Sequence, residues 1–225
     1  MAEANIRGAA PIPIHTLFCI GQNYAAHARE LDNPVPETPV VFLKPDTSVV
    51  YEAGEVVLPK ASHDVHHEVE MVVLLGNGGR NIPRQTALDH VAAYGVGIDV
   101  TARDLQADAR RRGLPWAVAK GFDTFAPLAE LIPAADIADP SQLQLNLTVN
   151  GEQRQHSQTA DMVFAVDSLI AYLSTIFTLQ RGDLIFTGTP AGVQRIVADD
   201  VLEAQLLDHQ GRPLTTLRVA ARDET

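Results

Sequence analysis

The sequence holds a single cysteine, Cys19, among 225 residues. One thiol cannot close an internal disulfide, so no disulfide framework supports this fold. Its setting, Leu17-Phe18-Cys19-Ile20, is apolar, where cysteine serves as a small core residue rather than a nucleophile. Long apolar runs are missing too: none reaches the roughly 20 residues that cross a bilayer as a helix, so no membrane partner is expected. The first residues lack the basic segment and apolar core of a secretory leader, and a cytoplasmic location is the expectation. Basic clusters are reduced to Arg110-Arg111-Arg112 against a net charge of −11. That argues against nucleic acid as a partner and leaves the three arginines as the exposed end of a helix. There is no internal repeat and no linker rich in Pro, Gly or Ser. The chain is read as one catalytic domain, 1–225, with residues 1–60 forming a smaller subregion.

What remains is of ordinary globular composition, 46% apolar and 20% charged, with short apolar runs alternating with turn residues. That pattern predicts a β-dominated chain with a few helices. Thr16–Ile20 reads as a strand closed by Gly21, and Asn23 as the N-cap of a helix through Tyr24, His27 and Leu31. Asn33-Pro34-Val35-Pro36 breaks that helix. Val40–Leu43 reads as a strand stopped by Lys44-Pro45, and Val56–Leu58 as another before Pro59. Thr86–Ala93 is expected to be a helix, Tyr94–Val100 a strand, and Thr101 the cap of a helix to Arg112. Leu143–Val149 alternates into Asn150-Gly151, the strongest hairpin signal in the chain. Val166–Thr175 has helical spacing and Asp183–Phe186 reads as a strand. Val201–Leu207 and Leu214–Val219 read as a closing pair.

The most informative residues are Glu68 and Glu70, which begin the apolar, β-branched run up to Leu75. At i and i+2 they face the same side of a strand. Two buried carboxylates side by side repel unless something positive lies between them, and a divalent cation is the simplest such object. An edge strand with its acidic face in water is the alternative on local sequence alone. Asp99, at the end of Gly95-Val96-Gly97-Ile98, supplies a third carboxylate, and the glycines allow close approach of a neighbour or ligand. Three carboxylates and waters suit Mg²⁺ or Mn²⁺. His63, His66 and His67 raise a competing zinc or iron site, with His66 on the face of the glutamates; a structural role for all three is preferred.

His27 and Glu30, at i and i+3, form a second constellation: a carboxylate beside an imidazole fixes its tautomer and raises its basicity. Surface decoration is the bland alternative. Arg103 and Gln106 share a helix face. Lys120 lies in the apolar stretch Trp116–Phe122, where it could stabilise an oxyanion or snorkel to water. Thr189 sits in Gly188-Thr189-Pro190-Ala191-Gly192, a backbone able to present N–H groups to a carboxylate, or a plain strand-exit turn. No G-x-S-x-G elbow offers a rival hydrolytic machinery.

Six segments occur in order: Gly21-x-Asn23-Tyr24-x-x-His27-x-x-Glu30, Phe42-x-Lys44-Pro45, His67-Glu68-x-Glu70, Asp99-x-Thr101-x-Arg103-Asp104-x-Gln106, Lys120-x-Phe122-Asp123 and Thr187-Gly188-Thr189-Pro190-x-Gly192-Val193. Together they resemble the fumarylacetoacetate hydrolase family, in its short acylpyruvase and fumarylpyruvate hydrolase branch, from about Leu17 to Val193. The resemblance implies an α+β, β-dominated fold of the mixed β-roll type with peripheral helices, and a homodimer. It also implies Mg²⁺ or Mn²⁺ on Glu68, Glu70 and Asp99, and His27 and Glu30 as a water-activating dyad on a lid. Lys120, Arg103, Gln106 and Thr189 would contact substrate. One departure is Gln194, where the family loop often carries glycine; it could reshape the carboxylate pocket. The expected reaction is metal-dependent hydrolysis of a C–C bond in 2,4-diketo acids, giving pyruvate and a carboxylic acid. The alternative is oxaloacetate decarboxylation or keto–enol tautomerisation at the same site.

Overall fold

The computed structural model describes residues 2–30 and 34–225. Leu31 and Asn33, expected in the first helix and its breaker, lie outside the described residues. In chain order the principal strands are β1 (Leu17–Gly21), β2 (Val40–Lys44), β3 (Glu55–Leu58), β4 (Val69–Leu75), β5 (Val91–Ile98) and β6 (Ile132–Pro133). They continue as β7 (Gln144–Val149), β8 (Glu152–Gln158), β9 (Leu184–Phe186), β10 (Val201–Leu207) and β11 (Pro213–Asp223). The α-helices are α1 (Ala25–Glu30), α2 (Arg103–Arg112), α3 (Ala117–Lys120) and α4 (Val166–Ile176). The fold is the expected α+β arrangement of two mixed sheets with peripheral helices. One sheet has the order β6-β5-β4-β9-β1-β2, the other β8-β7-β10-β11-β3.

The central strand β4 is buried along its whole length, and apart from Glu70 its residues are apolar on both faces, as a strand covered on two sides requires. Val69, Met71, Val73 and Leu75 join the core shared with Leu145, Leu147, Leu202, Leu206 and Val219 of the second sheet. Val72 and Leu74 point the other way, into a second cluster with Leu17, Cys19, Leu128 and Phe186. Cys19 is therefore a buried core thiol, and burial pushes its pKa up, which removes the thiolate form a nucleophile needs. β4 pairs antiparallel with β5, matching Glu70 with Gly97. Gly97 is required by packing: a Cβ there would stand 2.6 Å from Phe186 Cε1 and 2.9 Å from the Pro127 carbonyl oxygen. The glycines before Asp99 thus admit a protein neighbour.

Several local expectations need correction. Thr86–Ala93 is not a helix; Arg84–His90 is 3₁₀ and β5 already begins at Val91, because the apolar run to Ile98 is recruited whole by β4. Thr101 does not cap α2. It pairs with His66 in a short antiparallel strand pair, and α2 begins at Arg103 with no side-chain cap. Asn23 is no N-cap either. It is fully buried, donates to the carbonyls of Thr187 (2.7 Å) and Phe164 (3.0 Å), and accepts from Phe164 N–H (2.7 Å). Satisfying a buried interstrand gap outweighs the local cap. The Asn150-Gly151 hairpin forms between β7 and β8 as expected, both residues at positive φ.

Gly97→Ala is expected to cost about 1–3 kcal/mol through overpacking, read as a lower urea midpoint at unchanged m-value.

Candidate metal centre

Glu68 immediately precedes β4, Glu70 is its second residue and Asp99 follows β5. The Asp99 N–H donates to the Glu68 carbonyl at 2.8 Å, so the ladder extends past the strands and brings all three carboxylates to one end. Oxygen atoms of Glu68, Glu70 and Asp99 lie within 4.8 Å of one another, and all three residues are buried. The edge-strand alternative, with an acidic face in water, is thereby excluded.

Positive charge surrounds the cluster. Lys120 Nζ, on the last residue of α3, lies 2.9 Å from Glu68 Oε2 and 2.5 Å from Asp99 Oδ2, and 4.8 Å from the centre of the Phe42 ring. It is fully buried and bound to carboxylates, so it does not snorkel. Burial alone would lower its pKa, but Asp99 and Glu68 overcome that and raise it. Arg103 clasps Glu68 Oε1 through Nη2, and its Nη1 donates to Gln106 Oε1 at 2.6 Å. Burial pushes the Glu68 carboxyl up, yet Lys120, Arg103 and His27 together hold it well below the usual carboxylate range.

Lys44, read as a strand stop and as part of the Phe42-x-Lys44-Pro45 segment, was given no role from sequence. Its Nζ spends its three protons on the carbonyls of Val100 (3.0 Å), Lys120 (2.5 Å) and Phe125 (2.8 Å). It also lies 2.8 Å from Asp99 Oδ1, which receives charge but no hydrogen bond. A lysine closing an apolar strand was the available signal. Glu70 is the least compensated of the three carboxylates. It accepts from Gly188 N–H at 2.7 Å, and burial, then Asp99 and Glu68, raise its pKa well above the ordinary value. An orphaned Asp99 oxygen, a poorly compensated Glu70 and an all-oxygen donor set fit a hard divalent cation.

The histidines lie outside this cluster. His66 Nε2 pairs with Asp64 Oδ1 at 2.9 Å, and burial lowers its pKa. His67 Nδ1 meets Gln155 Oε1 at 2.9 Å, and burial lowers its pKa to about 4, so the ring is neutral. Among the described residues no histidine joins the metal-type group.

His27 and Glu30 do meet: Nδ1 to Oε2 is 3.1 Å, with His27 buried and Glu30 at the surface. Gly192 N–H reaches both Glu30 oxygens, at 3.2 and 3.3 Å. With Glu30 accepting at Nδ1, the basic nitrogen is Nε2. His27, Glu68, Arg103, Gln106, Lys120 and Thr189 line one cavity of about 30 Å³, so the imidazole faces the same space as Glu68 and Lys120. A larger cavity of about 670 Å³, around Leu58, His63 and Arg195, includes none of the carboxylates. Gln194 does not shape the pocket: its side chain is exposed and its carbonyl takes the His67 N–H.

The family model for the fumarylacetoacetate hydrolase C-terminal domain matches residues 16–220. The chain belongs to this family. It is similar to the mitochondrial oxaloacetate tautomerase FAHD1 of Arabidopsis thaliana, 49% identical over 79% of each chain. The Mus musculus protein of that name is 45% identical over 84% of this chain and 85% of its own. Among solved structures, a fumarylpyruvate hydrolase from Pseudomonas aeruginosa, in complex with Mn²⁺ and pyruvate, superposes with a TM-score of 0.93. It is 37% identical and covers 99% of this chain and 96% of its own. This family member is therefore a metal-associated enzyme acting on a 2-oxo acid related to pyruvate. The cytoplasmic expectation is overturned by the mitochondrial relatives. It rested on a missing secretory leader, and cellular addresses are read from separable segments rather than from the folded domain. No helix among the described residues is long and apolar enough to cross a membrane.

Glu70→Gln is expected to weaken Mn²⁺ binding at least tenfold by calorimetry, since an amide loses both the charge and one acceptor. Unchanged affinity would remove Glu70 from the ligand set.

Proposed function

We propose that this chain interconverts the keto and enol forms of oxaloacetate, the alternative rather than the main reaction expected from the sequence. The relatives named oxaloacetate tautomerase, at 42–49% identity, carry this reading. The buried carboxylate cluster beside Lys120 supports it. Glu68, Glu70 and Asp99 would hold Mg²⁺ or Mn²⁺. The bound cation would supply Lewis acidity toward the carboxylate and 2-oxo oxygens of the acid.

The chain's own residues supply the rest. Lys120 keeps an ammonium beside the oxygen on which enolate charge develops, in surroundings too dry to screen it. Arg103, Gln106 and Thr189 orient the acid. His27 Nε2 takes a proton from C3 of the keto form and, as the imidazolium, gives it up to the enolate oxygen; the reverse reaction retraces both transfers. Glu30 holds the imidazole in the required tautomer and stabilises its cation.

Hydrolysis of acylpyruvates is the second reading, and the His27–Glu30 pair favours it, because the same base could deprotonate water. The two separate in one comparison. With Mg²⁺, the wild type should speed the decay of the oxaloacetate enol absorbance well beyond metal alone, and His27→Ala should slow it by about 10²–10⁴-fold. No acceleration, together with pyruvate release from acetylpyruvate, would replace this reading by the hydrolytic one.

We propose further that residues 1–225 act as one catalytic unit and that two copies associate. Exposed Leu43 and Leu114 line one groove with Val40, Phe42 and Trp116, between the edge strand β2 and helix α3, which carries exposed Val118, the kind of apolar surface that a partner covers. Light scattering at micromolar concentration should give the mass of two chains; the mass of one would count against association.

A further inference from the structure

β8 carries one buried residue along its seven, and it is a glutamine, Gln155, 1% exposed. Its amide orientation is fixed by partners that can play only one role. The Val69 N–H can only donate, and it reaches Oε1 at 3.0 Å; the Pro190 carbonyl can only accept, and it takes Nε2–H at 2.9 Å. With the amide so oriented, Oε1 also faces His67 Nδ1, which must carry the proton, and Nε2 faces Thr189 Oγ1 at 2.8 Å. An amide NH₂ donates, so the Thr189 oxygen accepts. Its hydroxyl proton is then directed elsewhere, and among the described residues no protein acceptor receives it. Thr189 is 4% exposed and lines the cavity with Lys120 and Arg103.

We propose that Gln155 is a positioning residue that sets the polarity of the Thr189 hydroxyl, so that its proton is presented to an anionic oxygen of the bound 2-oxo acid. The inference rests on the reading of this cavity as a 2-oxo acid site, but not on which reaction follows binding. Gln155 reaches from the second sheet to the first residues of β4 and to the 188–192 loop, spanning 86 residues to Val69 and 34 to Thr189. A hydroxyl left to itself rotates to suit any neighbour; a buried amide donor removes one of its choices.

The test is a double-mutant cycle read by calorimetry, with pyruvate as probe and protein loaded with Mn²⁺. Thr189→Val and Gln155→Met should each weaken pyruvate binding about tenfold, a lost hydrogen bond to a charged group. If Gln155 acts through Thr189, the double variant binds no more weakly than Thr189→Val. Losses that multiply to about a hundredfold would overturn the proposal, because they would show two independent effects. Mn²⁺ affinity should stay within twofold in every variant, which separates lost orientation from a damaged fold. Should Gln155→Met fail to fold, Gln155→Glu keeps the length and the acceptor for Val69 but donates nothing to Thr189; wild-type affinity for pyruvate there would also overturn it. Failure of the wild type to bind pyruvate would instead sink the 2-oxo acid reading, and this inference with it.

Discussion

Three carboxylates buried at the end of β4 and β5 set the terms for everything around them. Two unit charges 4 Å apart repel by about 4 kcal/mol at the effective dielectric typical of proteins, so a fold that gathers three must also gather cations. It does so from separate parts of the chain: Lys44 from the end of β2, Arg103 from the start of α2 and Lys120 from the end of α3. Each helix and strand end is fixed by this balance as much as by its apolar packing. Lys44 shows it best. It binds three backbone carbonyls, including that of Lys120, and so positions the neighbouring ammonium as well as Asp99.

The balance is incomplete, and chemistry follows from the deficit. Glu68 is matched on both oxygens, while Glu70 has a single backbone donor and a raised pKa. A site neutral in every part would hold no cation; one with uncompensated oxygen donors in a dry setting invites one. The ammonium of Lys120 stays beside that position, so charge formed on a 2-oxo acid would meet fixed partners instead of water.

Much of this was legible from the residues. The i, i+2 glutamates, the aspartate ending a glycine-rich strand and the lysine in an apolar stretch each violate the rule that buried segments are apolar, and such violations mark sites. The long strands and the Asn150-Gly151 hairpin follow from period-two alternation and turn chemistry. The failures share another cause. Asn23, Thr101 and the run before β5 have local preferences for caps and helix, but tertiary partners took their backbone and side-chain groups instead. The roles of Lys44 and Gln155 were not legible because they lie in partners 34 to 88 residues away, a separation that no local pattern encodes.

The 188–192 loop offers one N–H to Glu70 and another, four residues on, to Glu30. The spacing between the metal side and the imidazole side of the site is thus ruled by main chain, not by side chains. Both donors are glycines at positive φ, where a Cβ would run into Asn23 or the Arg154 carbonyl, so any side chain at either position would shift this gauge. A change in loop length would reset it at a stroke, moving the two halves apart while leaving every reactive side chain in place.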